Sequence, residues 1–129
     1  MTSIFSKIIA GEIPSHKIAE NDKFIAFLDV SPMVKGHTLV VPKKETDYIF
    51  DLSESELSEI LIFAKGVASS IKKAIPCERI GIAVIGLEVP HAHIHLVPMR
   101  TADDLNFTRP KLKLTQEELK QVADSIRTA

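Results

Sequence analysis

The chain has one cysteine, no tryptophan, one tyrosine and five glycines among 129 residues. A lone cysteine, Cys77, excludes an internal disulfide framework and suits a reducing compartment. Sixteen basic residues against seventeen acidic ones leave a formal net charge of −1. That balance provides no field to gather a nucleic acid polymer or an anionic membrane surface. No uninterrupted apolar run approaches the length of a membrane span, and the start, "MTSIFSKIIAGEIP", has no secretory cleavage pattern. Neither internal repeats nor low-complexity segments occur. The expectation is one cytoplasmic domain over residues 1–129, with 101–129 as a C-terminal extension that folds back or reaches a partner subunit.

What is present reads as mixed α+β. "SIFSKIIAG" is a short amphipathic helix with Ile4, Phe5, Ile8 and Ile9 on one face and Gly11 as its stop. "KFIAFLDV" and "HTLVVP" are strands separated by the turn-rich "SPMVKG". A long helix starts after Ser53, whose spacing to Glu56 is that of a capping box, and Pro76 ends it. Along it Leu57, Ile60, Leu61, Ala64, Val67, Ala68, Ile71 and Ile75 recur at helical spacing. "RIGIAVIG" and "HAHIHLVP" are two further strands joined around Gly86 to Pro90. "TQEELKQVADSIR" is a last helix, capped by Thr115 and Glu118. One long helix among pairs of strands predicts an antiparallel sheet.

The stretch "HAHIHLVP" concentrates three of the chain's five histidines in five positions. On a strand, His91, His93 and His95 share one face, and Ala92, Ile94 and Leu96 turn into the core against the long helix. A merely solvated face explains one histidine and explains three poorly. Two chemistries use such a row. Neutral imidazoles bind zinc. Alternatively, imidazole attacks phosphorus while its neighbours stabilise the phosphoryl oxygens. The pattern by itself does not choose between them.

Its context adds "KGHTLVVPKK", which contributes His37, and "FIAFLDVSP" before it. With "IFSKIIAGEIPS" and "PHAHIHLVP", these four ordered blocks resemble the histidine triad family of nucleotide hydrolases and transferases, from about Ser3 to Pro98. The resemblance implies that fold: an antiparallel sheet with one long helix, a short N-terminal helix and a C-terminal helix. It implies a homodimer acting on a nucleotide, a purine nucleoside phosphate among them, with no cofactor and no metal at the triad. His93 would be the nucleophile that takes the nucleotidyl group. His95 and His37 would line the phosphate site, with His91 close by. Asp29 matches the ribose-binding position, and Ile4, Phe5, Ile8, Phe27, Val30 and Leu39 match the apolar slot for the base. The reaction implied is hydrolysis of a nucleoside phosphoramidate through a nucleotidyl-histidine. A dinucleoside polyphosphate hydrolase, a nucleotide-binding regulatory module with weak turnover and a zinc-dependent hydrolase are the alternatives.

The sequence departs from the family in two places. Many members hold zinc with an N-terminal Cys-x-x-Cys and further histidines, one just after "PKK". Ser3, Ser6 and Glu45 stand at those positions here, so no thiolate remains. The Gly- and Asn-rich loop that usually precedes the triad is shortened to "AVIGLEVPH". Glu88 then lies on the leaving-group side, where a carboxylate tolerates an amine and repels a polyphosphate. Arg109, Lys111 and Lys113 of "RPKLKL" either supply cations to the site or face solvent, and the second is expected.

Overall fold

The computed structural model describes residues 2–129. A short helix α1 (Ile4–Ile9) leads into strands β1 (Lys17–Glu20), β2 (Phe24–Leu28) and β3 (Thr38–Pro42). The long helix α2 (Glu54–Ala74) follows, then β4 (Arg79–Ala83), β5 (Ile94–Met99) and helix α3 (Gln116–Arg127). One-turn 3-10 helices at Ile49–Asp51 and Ala102–Leu105 punctuate the connections. The five strands form one antiparallel sheet in the order β1-β2-β3-β5-β4. Both expected capping boxes are formed: Ser53 with Glu56 opens α2, and Thr115 with Glu118 opens α3.

Strand alternation divides the side chains between two cores. Phe24, Ala26 and Leu28 of β2, Val40 of β3, and Ile94 and Leu96 of β5 face α2 and α3. Ile60, Ala64, Val67 and Ile71 of α2 meet them there, with Leu119, Val122, Ala123 and Ile126 of α3. The tail therefore folds back onto its own sheet. The opposite face carries Ile25, Phe27, Leu39 and Val41, covered by Phe5, Ile8 and Ile9 of α1. His95 sits opposite Leu39 in the β3–β5 register, so it belongs to this second face.

The structure corrects the sequence reading in several places. Strand β1 was not expected. "HAHIHLVP" becomes strand only at Ile94, so His91 and His93 precede it in irregular backbone. Ala92 consequently packs with Ile49 and Leu52 rather than into the α2 core, its N–H donating to Thr46 O at 2.6 Å. "RIGIAVIG" is strand only as far as Ala83. No helix is long and apolar enough to cross a membrane among the described residues.

Candidate active site

Four histidines converge on the α1 face, and all four are buried. His37 is placed by the turn before β3. Gly36 has φ +97°, and a Cβ there would lie 3.0 Å from Ile75 Cγ1 and 3.2 Å from Pro98 Cγ. Only glycine meets both demands. The Asp29 N–H donates to His37 O at 3.0 Å, which ties the end of β2 to the same turn.

Hydrogen bonds assign the tautomers. The Met33 N–H donates to His37 Nδ1 at 3.0 Å, so that nitrogen keeps its lone pair. The proton of neutral His37 is then on Nε2, which lies 2.9 Å from His95 Nδ1 and donates to it. His95 in turn bears its proton on Nε2. His93 Nδ1 lies 2.8 Å from His91 O, and a carbonyl can only accept. His93 therefore has its proton on Nδ1 and a free lone pair on Nε2. By the same logic His91 Nε2 donates to Pro42 O at 2.7 Å, leaving Nδ1 as an acceptor.

Burial keeps His37, His93 and His95 uncharged. Desolvation, with the charges of His95 and Lys111 behind it, pushes His37 down from 6.5 to about 3. Desolvation also lowers His95 to about 4, helped by His93 and Lys111. His93 is lowered as well, again foremost by desolvation, against the bond to His91 O that raises it. Asp29 shifts the other way: burial raises it, opposed by the Ser31 N–H that donates to Oδ1 at 2.9 Å. Asp29 Oδ2 lies 3.8 Å from His37 Nε2, and with His37 neutral this contact is not an ion pair.

Asp29, His37 and His95 offer three possible metal ligands within 4.8 Å of one another. Their chemistry does not fit a metal. For Nε2 of His37 to ligate, the proton would have to move to Nδ1, where the Met33 N–H already points. The zinc position implied by the family resemblance does not fit either. Ser3 Oγ donates to His91 Nδ1 at 2.7 Å, Ser6 Oγ donates to Glu45 Oε1 at 2.7 Å, and the Ser3 N–H donates to the same oxygen at 2.7 Å. Two hydroxyls and a carboxylate satisfy one another and His91, with no thiolate for a structural zinc. The Ser3 and Ser6 donors hold Glu45 down at about 2.

This clasp has a structural purpose. Ser3 is the N-cap of α1, accepting from the Ser6 N–H at 3.0 Å, and its hydroxyl fixes the His91 ring. Helix α1 is thereby held so that Phe5 stands edge-on to His93, ring centres 4.9 Å apart. Ser3→Ala removes the cap and leaves buried His91 Nδ1 without a donor. The expected loss is roughly 1–3 kcal/mol of unfolding free energy, measurable by urea denaturation. An unchanged midpoint would show that the clasp contributes nothing.

A cleft of about 390 Å³ opens over the histidines. Of the residues predicted for the site, it brings together Ile4, Phe5, Asp29, His37, Leu39, Glu88, His93 and His95. Three others are placed elsewhere: Ile8 and Phe27 support the floor in the apolar cluster beneath, and Val30 is exposed and outside the lining. His91 is wholly buried behind Phe5 and acts on the cleft only through its carbonyl. Ile85, Leu87 and Val89 of the shortened loop also line the cleft. So do Phe107, which the sequence does not single out, and Lys111. Lys111 is exposed, as expected, and borders the cleft as well.

The HIT domain family model matches residues 10–102. The chain belongs to the HIT family. It is 34% identical to an uncharacterized HIT-like protein of Borreliella burgdorferi, over 95% of this chain and 94% of that one. It is 33% identical to an adenosine 5'-monophosphoramidase of Schizosaccharomyces pombe, over 98% of this chain and 96% of the relative. The fold superposes with a TM-score of 0.85 on a Hit-like protein involved in cell-cycle regulation from Bartonella henselae. That structure is 30% identical, and the match covers 98% of this chain and 95% of the other.

Proposed function

We propose that this HIT protein hydrolyses a nucleoside phosphoramidate through a nucleotidyl-histidine intermediate. The observation that carries the reading is the 2.8 Å bond between His93 Nδ1 and His91 O. It leaves Nε2 of a neutral imidazole free to attack, in a cleft shared with two further histidines. The phosphoramidase name of the fission-yeast relative supports the same substrate class.

In this reading His93 Nε2 attacks the α-phosphorus in line with the leaving nitrogen. The N–P bond to His93 forms, the P–N bond to the amine breaks, and the leaving nitrogen takes up a proton from solvent water in the open cleft. Water then attacks the phosphorus, the P–N bond to His93 breaks, one water proton returns to solvent, and neutral His93 and a nucleoside monophosphate are released. The Nε2–H of His95, oriented through His37 and the Met33 amide, donates to a non-bridging oxygen as charge gathers there. Asp29 accepts from ribose hydroxyls, and Ile4 and Leu39 flank the base. Glu88, in the lining, favours an amine over an anionic leaving group.

Two copies of the chain associate in this reading. Strand β4 is an edge of the sheet, and Ile82 on it is exposed beside Leu61 and Ile62 of α2. These residues line one apolar groove, which suits a second β4 edge. The single cysteine supports a cytoplasmic location.

The test is release of adenosine monophosphate from an adenosine phosphoramidate, assayed before and after exhaustive chelation. Equal turnover in both is expected, because no step uses a metal. Absence of product would favour the binding-module reading, and loss of turnover on chelation would favour a zinc hydrolase.

A further inference from the structure

The chain between β5 and α3 crosses back over the histidine face. Its first half is fixed where Arg109 Nη1 donates to Asp103 Oδ2 at 3.1 Å and to Asp104 Oδ1 at 3.2 Å. Its second half is fixed where the Leu112 N–H donates to Pro32 O at 2.9 Å, beside the turn that holds His37. Between these anchors the Phe107 ring stands edge-on to His95 at 4.9 Å and to His37 at 6.1 Å between ring centres. Lys111 Nζ donates to Phe107 O at 2.9 Å and lies 5.5 Å from the Phe107 ring centre. Both residues line the cleft, and both lie beyond residue 102, where the match to the family model ends.

The charge balance of the cleft makes Lys111 matter. Among the described residues that line it, Asp29 and Glu88 are carboxylates and Lys111 is the one lysine or arginine. The histidines are neutral near pH 7, so they offer hydrogen bonds and no net charge. A nucleotide brings one or two negative charges into a lining that is otherwise net negative. An ammonium has three protons. One is given to Phe107 O, and two remain for phosphoryl oxygens.

We propose that Lys111, delivered by this crossing segment, binds the phosphoryl oxygens and sets the preference of the cleft for nucleotides over nucleosides. Phe107 is its mount: the carbonyl orients the ammonium, and the ring keeps water from His95 and His37. This rests on the nucleotide reading above, and the test separates the two.

The affinities of wild-type protein, Lys111→Gln and Lys111→Arg for adenosine monophosphate and for adenosine are measured by calorimetry at low and high salt. Wild type is expected to prefer the monophosphate. Lys111→Gln should narrow that preference by roughly ten- to a hundredfold, the range for losing a charged hydrogen bond. Its adenosine affinity and thermal midpoint should not move, since the side chain is exposed. Lys111→Arg should keep most of the preference, and the salt dependence of the preference should fall only in Lys111→Gln. An unchanged preference in Lys111→Gln overturns the proposal alone. Equal loss for both ligands also overturns it, since Lys111 would then act through the wall and not through charge. If wild type binds neither ligand, the nucleotide reading fails and this inference fails with it.

Discussion

His93→Ala is expected to lower turnover of a nucleoside phosphoramidate by roughly 10⁴-fold, while nucleotide affinity stays within a few-fold of wild type. The asymmetry follows from what the ring does. Its Nδ1 proton is committed to His91 O, and its Nε2 lone pair is used in bond formation rather than in holding the ground state. The loss should therefore appear in kcat rather than KM. A wild-type reaction quenched with substrate present should carry a nucleotidyl mass on the peptide containing His93, and the variant should carry none. Near wild-type kcat in His93→Ala, or the adduct on His95, would refute the assignment.

Stability should fall steeply between pH 7 and pH 5, before the depressed carboxylates contribute. In the unfolded chain a histidine titrates near 6.5, whereas the fold lowers His37 to about 3 and His95 to about 4. Between those values the unfolded state binds more protons, so unfolding free energy rises with pH. The stabilisation is complete above 6.5 and is lost as pH falls toward the folded values. At pH 5 each group has cost at most about 2 kcal/mol, so the pair together costs roughly 2–4 kcal/mol. Glu20 and Glu45 are depressed carboxylates whose contribution is lost only below 4.5, while buried Asp29, raised by desolvation, opposes the imidazoles as pH falls. Urea unfolding at the two pH values measures the difference, and His37→Gln should flatten it. An unfolding free energy equal at pH 7 and pH 5 would mean that water reaches the buried rings freely.

Most of the scaffold was legible because its signals are local. Ser53 with Glu56 and Thr115 with Glu118 announce helix starts within four residues, and Pro76 closes α2 just after its end. Strand β1 escaped because "KIAE" is four residues at a sheet edge, with charged ends and no alternation to detect. The strand rule failed at His91 because period two holds only inside a strand, and β5 starts three residues later. The site shows the same division. The family resemblance carried by "FLDVSP", "GHTLVVPKK" and "PHAHIHLVP" located His37, Asp29, His93 and His95 near one another. The Ser3–Glu45–His91 clasp spans forty-two and eighty-eight positions of sequence, and hydroxyls carry no pattern that reveals a distant partner. Phe107 was missed, and Lys111 was given no fixed place at the site, for a related reason. Nothing in "NFTRPKLKL" indicates that the segment crosses the histidine face, because Pro32 and the paired acids Asp103 and Asp104 fix that path.

The amide of Met33 gives the proton wire its polarity. Because that N–H belongs to the main chain, every residue except proline at position 33 supplies the same donor. The direction from His37 to His95 is thus written in backbone geometry and not in side-chain identity. Two proteins with the same four histidines but a different turn ahead of β3 would hold His37 and His95 in the opposite tautomers, and an inventory of their residues would not tell them apart.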